Sequence, residues 1–428
     1  MSQTFKIETL GCKANQYDSE RLAEALSEAG LHRAHEAEGP DIWVVNTCTV
    51  THVSDRKCRQ TVRQAIREHP DAQVYVTGCY ATSSPDELEE IEGVTGVYGR
   101  EELDELIESI TGERPGEPTG DFGLSDFAGR ARAMLKVQEG CDFFCNYCIV
   151  PHVRGEPRSM PLDSAVREAG RLVEKGFREI VLTGIHLGLY GRDLGSGVNL
   201  AELVRAVACT DGLERLRLSS LEAPEVSDEL LRAMTDPVVC PHLHLPLQSG
   251  DDRVLERMGR RYTTLDFRHY VRRAREILSE PAITTDVLVG FPGESDEEFE
   301  NTLGFCGEMK FSRMHVFKFS PREGTPAAEM DGQVHSRVAK KRSARLRKLG
   351  GRLARDWAEQ FVGQTVRVLL EETTGEGKLC GYTDRYVRVL TEGREGDLER
   401  LRCVKVESSR DGVIHGAIER DTGSADTS

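Results

Sequence analysis

Apolar positions along the chain alternate between two periods, and this alternation predicts strands and helices in turn. Over about residues 1–112, short apolar runs are separated by stretches in which apolar residues recur every three or four positions. One such helical stretch covers residues 18–29 and ends at Gly30. Strands that alternate with helices form a parallel sheet, so the pattern predicts an N-terminal α/β domain. The predicted strands of this domain are 5–10, 42–45 and 74–77.

The central part of the chain, about residues 131–360, repeats the strand–helix alternation six times. Six units are too few for a closed eight-fold barrel. The predicted strands are 134–137, 179–183, 215–219, 242–245, 283–289 and 314–319, with helices near 161–175, 199–208, 227–235, 264–278 and 294–309. A final basic helix is predicted over residues 333–360.

In the last segment, residues 361–420, apolar and polar residues alternate with a period of two. Runs of alternating polar and apolar residues are separated there by Gly-rich turns, the pattern of half-exposed strands, which predicts a small β-barrel. Residues 113–130 are rich in Gly and Pro and are predicted to be an interdomain linker. Residues 421–428 are predicted to be a disordered tail.

Charge is distributed unevenly along this acidic chain. The net charge of −16 argues against a nucleic-acid partner, but binding to phosphate depends on the local field. The basic helix 333–360 is therefore the best candidate, outside the last domain, for contact with an RNA backbone. No apolar run approaches the length that spans a membrane, and the first residues lack a signal-peptide layout. We therefore expect a cytoplasmic protein without a membrane partner.

Three of the twelve cysteines lie in one short loop. Cys141, Cys145 and Cys148 have C-x3-C-x2-C spacing, which brings three thiolates close enough to share a metal centre. Closed zinc and iron–sulfur sites take four ligands, so three ligands leave one position open. An open iron beside aromatic residues such as Tyr147 suits a small chelating ligand. The alternative is a zinc site with its fourth ligand elsewhere, for example His152.

A second set of cysteines follows the predicted strands of the N-terminal domain. Cys12, Cys48 and Cys79 each come after a strand, behind a small or polar residue. In open α/β sheets ligands lie outside the carboxyl ends of the strands, so the three thiolates are predicted to point into one crevice. One buried cysteine is usually a packing residue, whereas three at the same offset predict a second site. Cys58 lies within a predicted helix and is not expected to be a ligand.

These motifs resemble those of a known enzyme family. The loop 139–148 resembles the signature of the radical S-adenosylmethionine (SAM) enzymes, and the six central units fit the open (β/α)6 barrel of that superfamily. Residues 9–16, 45–50 and 76–80 resemble the N-terminal domain of the methylthiotransferases, and the resemblance covers nearly the whole chain. The C-terminal strands resemble the TRAM domain, an RNA-binding module. Four arginines of that domain are candidates for one basic face: Arg367, Arg385, Arg388 and Arg402.

The resemblance implies two 4Fe–4S clusters and SAM as cofactors. Cys141, Cys145 and Cys148 would be the catalytic ligands of the cluster that binds SAM, and Cys12, Cys48 and Cys79 would hold an auxiliary cluster. Loops after the barrel strands would line the SAM and substrate cavity, and Gly184 would let the backbone approach the cofactor. The residues expected to contact SAM are Tyr147, Gly184, Ser219, Glu222, Gln248 and Arg260. His186, His242 and His244 are assigned no role.

The resemblance also implies a reaction. One SAM would methylate sulfur on the auxiliary cluster, a second would give a 5′-deoxyadenosyl radical, and methylthio would replace hydrogen on the substrate carbon. Residues 10–16 and 182–191 look most like the branch that acts on C2 of N6-threonylcarbamoyladenosine at position 37, in the anticodon loop of tRNA.

Alternatives remain within and outside this enzyme class. Within it they are the isopentenyladenosine tRNA enzyme and the enzyme that modifies an aspartate of a ribosomal protein. Outside it, the alternative is a non-catalytic iron–sulfur protein that binds RNA. The expected partners are tRNA, a reduced electron donor such as flavodoxin or ferredoxin, and a sulfur donor that the sequence does not identify.

Overall fold

The computed structural model describes residues 3–35, 39–114, 131–195 and 197–419. Most of the predicted linker 113–130 and all of the predicted tail 421–428 lie outside these residues. No helix in the described ranges is both long enough and apolar enough to cross a membrane.

The N-terminal domain is a parallel sheet covered by helices. Its strands are β1 (Thr4–Thr9), β2 (His32–Arg33), β3 (Ile42–Thr47), β4 (Gln73–Gly78) and β5 (Val94–Val97), and its helices are α1 (Lys13–Glu28), α2 (His52–Glu68), α3 (Cys79–Ser83), α4 (Pro85–Glu89) and α5 (Leu103–Thr111). The strand order is β2-β1-β3-β4-β5, and all pairs are parallel. Strand β3 is buried at every residue because it lies at the centre and both faces of the sheet are covered.

The central domain contains seven strands and nine helices in the residues that the structure describes. The strands are β6 (Arg132–Glu139), β7 (Arg158–Ser159), β8 (Glu179–Gly184), β9 (Arg215–Leu218), β10 (His242–His244), β11 (Ala282–Val289) and β12 (Arg313–Lys318). The helices are α6 (Val150–Arg154), α7 (Leu162–Glu174), α8 (Leu200–Ala208), α9 (Asp228–Ala233), α10 (Asp252–Arg257), α11 (Thr264–Ile277), α12 (Asp296–Met309), α13 (Pro326–Glu329) and α14 (Ser336–Glu359).

Six of these strands run parallel and curve into an open barrel, as predicted. Sheets β6-β8-β9 and β10-β11-β12 are joined by single bridges, such as the one between Ser220 and His244. No pairing of β12 with β6 occurs among the described residues, so the barrel is open between them. The short antiparallel strand β7 beside β6 was not predicted. Loops at the carboxyl ends of the six strands therefore face one side of the domain.

The C-terminal domain is a closed five-stranded barrel, consistent with the predicted TRAM-like module. Its strands are β13 (Thr365–Thr373), β14 (Leu379–Thr383), β15 (Arg388–Glu392), β16 (Leu401–Arg410) and β17 (Val413–Ile418). The β14–β15 turn packs against the central domain, where the Arg217 guanidinium lies 4.0 Å from the centre of the Tyr386 ring. Arg217 also donates hydrogen bonds to the carbonyls of Thr383 and Asp384.

The four arginines predicted to form a basic face of this domain do not form one. Each is paired with a carboxylate: Arg367 with Glu214, Arg385 with Asp384, Arg388 with Glu372 and Arg402 with Asp397. Charge that is neutralised by a neighbouring carboxylate contributes little to phosphate binding. The expectation of an unpaired basic surface on the barrel is therefore wrong at these four positions.

Candidate functional site

The loop after β6 carries Cys141, Cys145 and Cys148, here called the barrel triad, to the carboxyl end of the barrel strands. Gly140 opens the loop with φ of 75°, and a side chain at this position would overlap the carbonyl oxygen of Glu156. Glycine is therefore required for the chain to make this turn.

The thiols of the barrel triad have polar neighbours from other barrel loops. His186 Nδ1 lies 3.3 Å from Cys141 Sγ, and Arg260 Nη1 lies 3.5 Å from Cys145 Sγ. Burial raises the pKa of Cys148 to about 12, and it raises the pKa of Cys145 as well. Neutral thiols are thus favoured unless a positive centre stabilises the thiolates.

Cys12, Cys48 and Cys79, here called the sheet triad, lie at the carboxyl edge of the N-terminal sheet, after β1, β3 and β4. Asn15 lies among them: its Oδ1 is 3.5 Å from Cys12 Sγ and 3.9 Å from Cys79 Sγ. Burial raises the pKa of Cys48 to about 12 and also raises that of Cys79. The parallel register thus brings together three cysteines that are far apart in the sequence.

Cys58 lies directly behind the sheet triad. Its Sγ is 3.4 Å from both the backbone nitrogen and the carbonyl oxygen of Cys48. The thiol therefore hydrogen-bonds to the backbone that carries a triad cysteine. This contact gives Cys58 a supporting position, consistent with the expectation that it is not itself a ligand.

Arg154 links the central domain to the sheet triad. It ends α6, shortly after the barrel triad, and is 2% exposed. Its Nε donates to Cys79 Sγ at 3.3 Å and its Nη2 donates to Asn15 Oδ1 at 2.5 Å. Its Nη1 is 3.1 Å from an oxygen of Asp18 and 3.0 Å from an oxygen of Glu139. The sequence-based reasoning missed this residue, because nothing local marks an arginine that reaches into another domain.

Two adjoining cavities lie between the triads. The first, of 420 Å³, is lined by the whole barrel triad and by Val50 and Thr51 of the N-terminal domain. The second, of 430 Å³, is lined by Cys12 of the sheet triad. The two cavities share three lining residues, Ser220, Asp286 and Phe317, so they lie side by side.

The six residues predicted to contact SAM divide between the two cavities. Tyr147, Glu222, Gln248 and Arg260 line the first cavity with the barrel triad. Gly184 and Ser219 line the second cavity, so the structure does not bring them together with the other four. A Cβ at Gly184 would lie 2.9 Å from Cβ of Gln138. Close packing of Gln138 is one reason for a glycine here, and its predicted approach to the cofactor stays a prediction.

Arg260 and Glu222 form a buried ion pair in the wall of the first cavity. Arg260 also donates to the hydroxyl groups of Tyr262 and Tyr147, at 3.1 and 3.4 Å. Gln248 lies beside them with φ of 62°, in the left-handed region. Such backbone is sparsely populated for residues other than glycine and is concentrated at ligand sites. The wall is thus both charged and rigid.

His186 is a site residue to which the sequence assigned no role. Besides its contact with Cys141, its Nε2 is hydrogen-bonded to the Glu225 carboxylate. Its backbone N–H donates to Gln138 Oε1 at 2.7 Å, and its ring packs edge-on against Phe143 at 4.2 Å. These contacts fix the imidazole beside the barrel triad. Its position in the loop after barrel strand β8 could have identified it, because the other predicted site residues were selected from loops that follow barrel strands.

The donor arrangement fits iron–sulfur clusters better than single metal ions. In the described residues, no three His, Cys, Asp or Glu side chains are close enough to hold one metal ion. The thiols of each triad nevertheless influence one another electrostatically. Three thiolates that surround a larger group suit a cubane. His152, the alternative zinc ligand, packs instead against the Phe144 ring at 5.6 Å.

Two protein-family models match the chain. The model described as uncharacterized protein family UPF0004 matches residues 4–99, and the model of the radical SAM superfamily matches residues 135–306.

Several relatives match over almost the whole chain. The threonylcarbamoyladenosine tRNA methylthiotransferase MtaB of Bacillus subtilis is 39% identical over 94% of this chain and 93% of its own. The tRNA-2-methylthio-N(6)-dimethylallyladenosine synthase of Thermobifida fusca is 36% identical over 98% of this chain and 84% of its own. Among solved structures, the radical SAM methyltransferase TsrM of Kitasatospora setae, with cobalamin and a [4Fe–4S] cluster bound, has a TM-score of 0.57. It covers 77% of each chain at 18% identity, so this likeness shows a shared fold.

Proposed function

Because the chain belongs to the threonylcarbamoyladenosine tRNA methylthiotransferases of the radical SAM superfamily, we propose that it methylthiolates C2 of N6-threonylcarbamoyladenosine at position 37 of tRNA. Its cofactors are SAM and two 4Fe–4S clusters. With these groups bound, two SAM molecules per product supply a methyl group and a radical, chemistry that no side-chain acid or base provides.

The observation that best supports this proposal is a pair of adjoining cavities, one lined by the barrel triad and the other by Cys12 of the sheet triad. Insertion of a sulfur group at a carbon requires that the radical source and the sulfur source reach the same atom. A base at the shared wall, near Ser220 and Asp286, would have the barrel triad on one side and Cys12 on the other. Val50 and Thr51 of the N-terminal domain contribute to the wall of the first cavity.

Each triad has its own task in this proposal. Cys141, Cys145 and Cys148 hold the cluster that binds SAM, and Cys12, Cys48 and Cys79 hold the auxiliary cluster. The Arg260–Glu222 pair, Tyr147 and Gln248 orient SAM in the first cavity. His186 and Asn15 are positioning residues, since each lies against the cysteines of one triad.

We place the tRNA backbone along α14. Its inner side packs on the central domain through Leu346 and Leu349, and its one buried arginine, Arg342, is paired with Glu294 and Asp296. Arg345 is exposed but paired with Glu300. The other basic side chains are exposed and give the helix a positive outer surface: Arg337, Lys340, Lys341, Arg347, Lys348, Arg352 and Arg355. A surface of this kind binds phosphate without regard to base sequence.

Reduced flavodoxin or ferredoxin is the proposed electron donor, and the cytoplasm is the proposed location. All twelve cysteines are free thiols, as is usual for proteins of reducing compartments. Iron–sulfur clusters need the same environment.

The experiment uses purified full-length protein whose clusters are reconstituted without oxygen, with dithionite, SAM and tRNA that carries threonylcarbamoyladenosine. Nucleosides and 5′-deoxyadenosine are measured by mass spectrometry. Wild type is expected to give both 5′-deoxyadenosine and the 2-methylthio product. Cys141→Ala is expected to give neither, whereas Cys12→Ala should still give 5′-deoxyadenosine but no methylthio product.

The matched control is Cys209→Ala, which removes an exposed cysteine far from both triads and should behave as wild type. No 5′-deoxyadenosine from wild type would contradict the enzyme assignment and favour a non-catalytic iron–sulfur protein. Product on isopentenyladenosine tRNA, with none on threonylcarbamoyladenosine tRNA, would contradict the substrate.

A further inference from the structure

The second cavity contains a cluster of ionisable side chains to which the proposed function assigns no role. Asp286 lies between two histidines: His244 Nε2 is 3.3 Å from one carboxylate oxygen, and His315 Nδ1 is 3.2 Å from the other. Burial disfavours a charged carboxyl group, but the two imidazoles hold the pKa of Asp286 at about 2. The only carboxylate in the wall of this cavity, among the described residues, thus already has two imidazole neighbours.

Three polar atoms in the same wall have no hydrogen-bond partner among the described residues: Ser219 Oγ, His242 Nδ1 and Asp286 Oδ1. Ser219 and His242 are 6% and 4% exposed. Buried polar atoms in folded proteins are nearly always hydrogen-bonded, and each exception calls for an explanation. A polar ligand in the cavity would supply the missing partners.

Arg313 lines the cavity at the start of β12. Among the residues that the structure describes, its guanidinium makes no hydrogen bond or ion pair. This contrasts with the arginines of the C-terminal barrel discussed above, each of which has a carboxylate partner. Arg313 is exposed, so its guanidinium is solvated in the absence of a ligand. A guanidinium without a counter-charge at the wall of a cavity is suited to bind a carboxylate through two parallel hydrogen bonds.

The cavity also has an entrance. Three alternate residues of the edge strand β12 that line the cavity are exposed: Arg313, His315 and Phe317. Phe317 also lines the first cavity, so a nucleotide that binds along β12 can contact both Arg313 and the shared wall.

We propose that Arg313 binds the carboxylate of the threonylcarbamoyl group of the target nucleoside, and that Ser219 and His242 bind its hydroxyl or urea atoms. This inference rests on the proposed function and identifies the residues that recognise the substrate of the proposed reaction. The threonylcarbamoyl group carries a carboxylate, a hydroxyl and a urea, whereas a dimethylallyl group carries no polar atom. Arg313 thereby determines which modified adenosine is accepted, and a site of this kind rejects an analogue that leaves its polar groups unpaired.

The test measures binding of anticodon stem-loops by fluorescence anisotropy, with product formation followed in the same samples. One RNA carries threonylcarbamoyladenosine, and a second carries the same nucleoside with the carboxylate converted to a carboxamide. Wild type is expected to bind the acid about 10- to 100-fold more tightly than the amide, the contribution of a charge-assisted hydrogen-bonded pair. Arg313→Gln should bind the two RNAs equally, and Arg313→Lys should retain part of the preference.

The control variant is Arg253→Gln, which removes an exposed arginine on α10 and should keep the wild-type preference. Unchanged iron content and unchanged 5′-deoxyadenosine formation without RNA show that Arg313→Gln is folded. The proposal is overturned if wild type binds acid and amide equally, or if Arg313→Gln keeps the preference. If the proposed function is wrong, wild type forms no methylthio product. This result is distinct from failure of the present proposal, because wild type would still bind the acid RNA more tightly than the amide RNA.

Discussion

The two cysteine triads are built in different ways. The barrel triad comes from one loop of consecutive residues, 141–148, and its spacing is fixed by the local chain. The sheet triad comes from the ends of three strands, and its geometry depends on the register of β1, β3 and β4. One site is therefore local and the other is a property of a folded sheet.

The two triads also differ in what surrounds them. The barrel triad is contacted by His186 and Arg260, both in its own domain. The sheet triad is contacted by Asn15 of its own domain and by Arg154 of the central domain. A change in the central domain should thus disturb both triads, whereas a change in the N-terminal sheet should disturb only one. This asymmetry can be tested.

The largest effects are expected from the glycines that precede a cysteine in each triad. At both Gly78 and Gly140, φ is positive and a side chain would overlap a neighbouring oxygen. Gly78→Ala should remove about half of the iron while 5′-deoxyadenosine formation survives. Gly140→Ala should abolish 5′-deoxyadenosine and also weaken the sheet triad, because Arg154 follows the same loop. Iron analysis and mass spectrometry measure both outcomes.

Gly304→Ala is the control for these two variants. It lies on α12, where a Cβ meets nothing within 4 Å, and it should be neutral or stabilise the helix by up to about 1 kcal/mol. Equal losses at both sites from Gly78→Ala would contradict the asymmetry.

Arg154→Met is expected to have the next largest effect. It removes a buried cation from Cys79, Asn15, Asp18 and Glu139, which should lower the free energy of unfolding by about 3 kcal/mol. Chemical denaturation measures the stability, and iron content reports the sheet triad. The exposed Arg158→Met is the matched control. An Arg154→Met protein with wild-type stability and full iron content would show that the two domains are held together by other contacts.

Smaller and more selective effects are expected from the residues that contact only one triad. His186→Phe should reduce 5′-deoxyadenosine formation by about 10- to 100-fold and leave the spectrum of the auxiliary cluster unchanged. Asn15→Leu should do the reverse: methylthio transfer falls by a similar factor while 5′-deoxyadenosine formation persists. Electron paramagnetic resonance of each variant separates the two clusters. If either variant alters both spectra equally, the triads are not independent.

The smallest effect is expected outside both triads. Lys348→Gln on α14 should weaken tRNA binding only a few-fold and lower the slope of log affinity against log salt by about one, as for loss of one phosphate contact. Formation of 5′-deoxyadenosine without RNA should not change. Arg272→Gln on α11, also exposed, is the control. If Lys348→Gln leaves the slope of log affinity against log salt unchanged, this part of α14 does not contact the RNA backbone.

Much of the fold was predictable because its signals are local. Apolar periodicity placed all six barrel strands, with small differences at their ends, and the period of two placed the C-terminal barrel. Strand β7 was missed because two residues carry no periodic pattern. The prediction of a basic face on the C-terminal barrel was wrong because a sequence pattern shows where arginines occur but not which carboxylates lie next to them in the fold. Glu214 of the central domain, for example, lies next to Arg367.

The sequence by itself determined the two sets of three cysteines, the order of the domains and the resemblance that leads to the chemistry. Only the tertiary structure decided how the two sets are related. It placed Arg154 against the sheet triad, His186 against the barrel triad, and Arg313 in one of the two adjoining cavities. The physical reason is that ligand spacing in a loop is set by bonds along the chain, whereas a cavity and its unpaired charges are set by packing between domains.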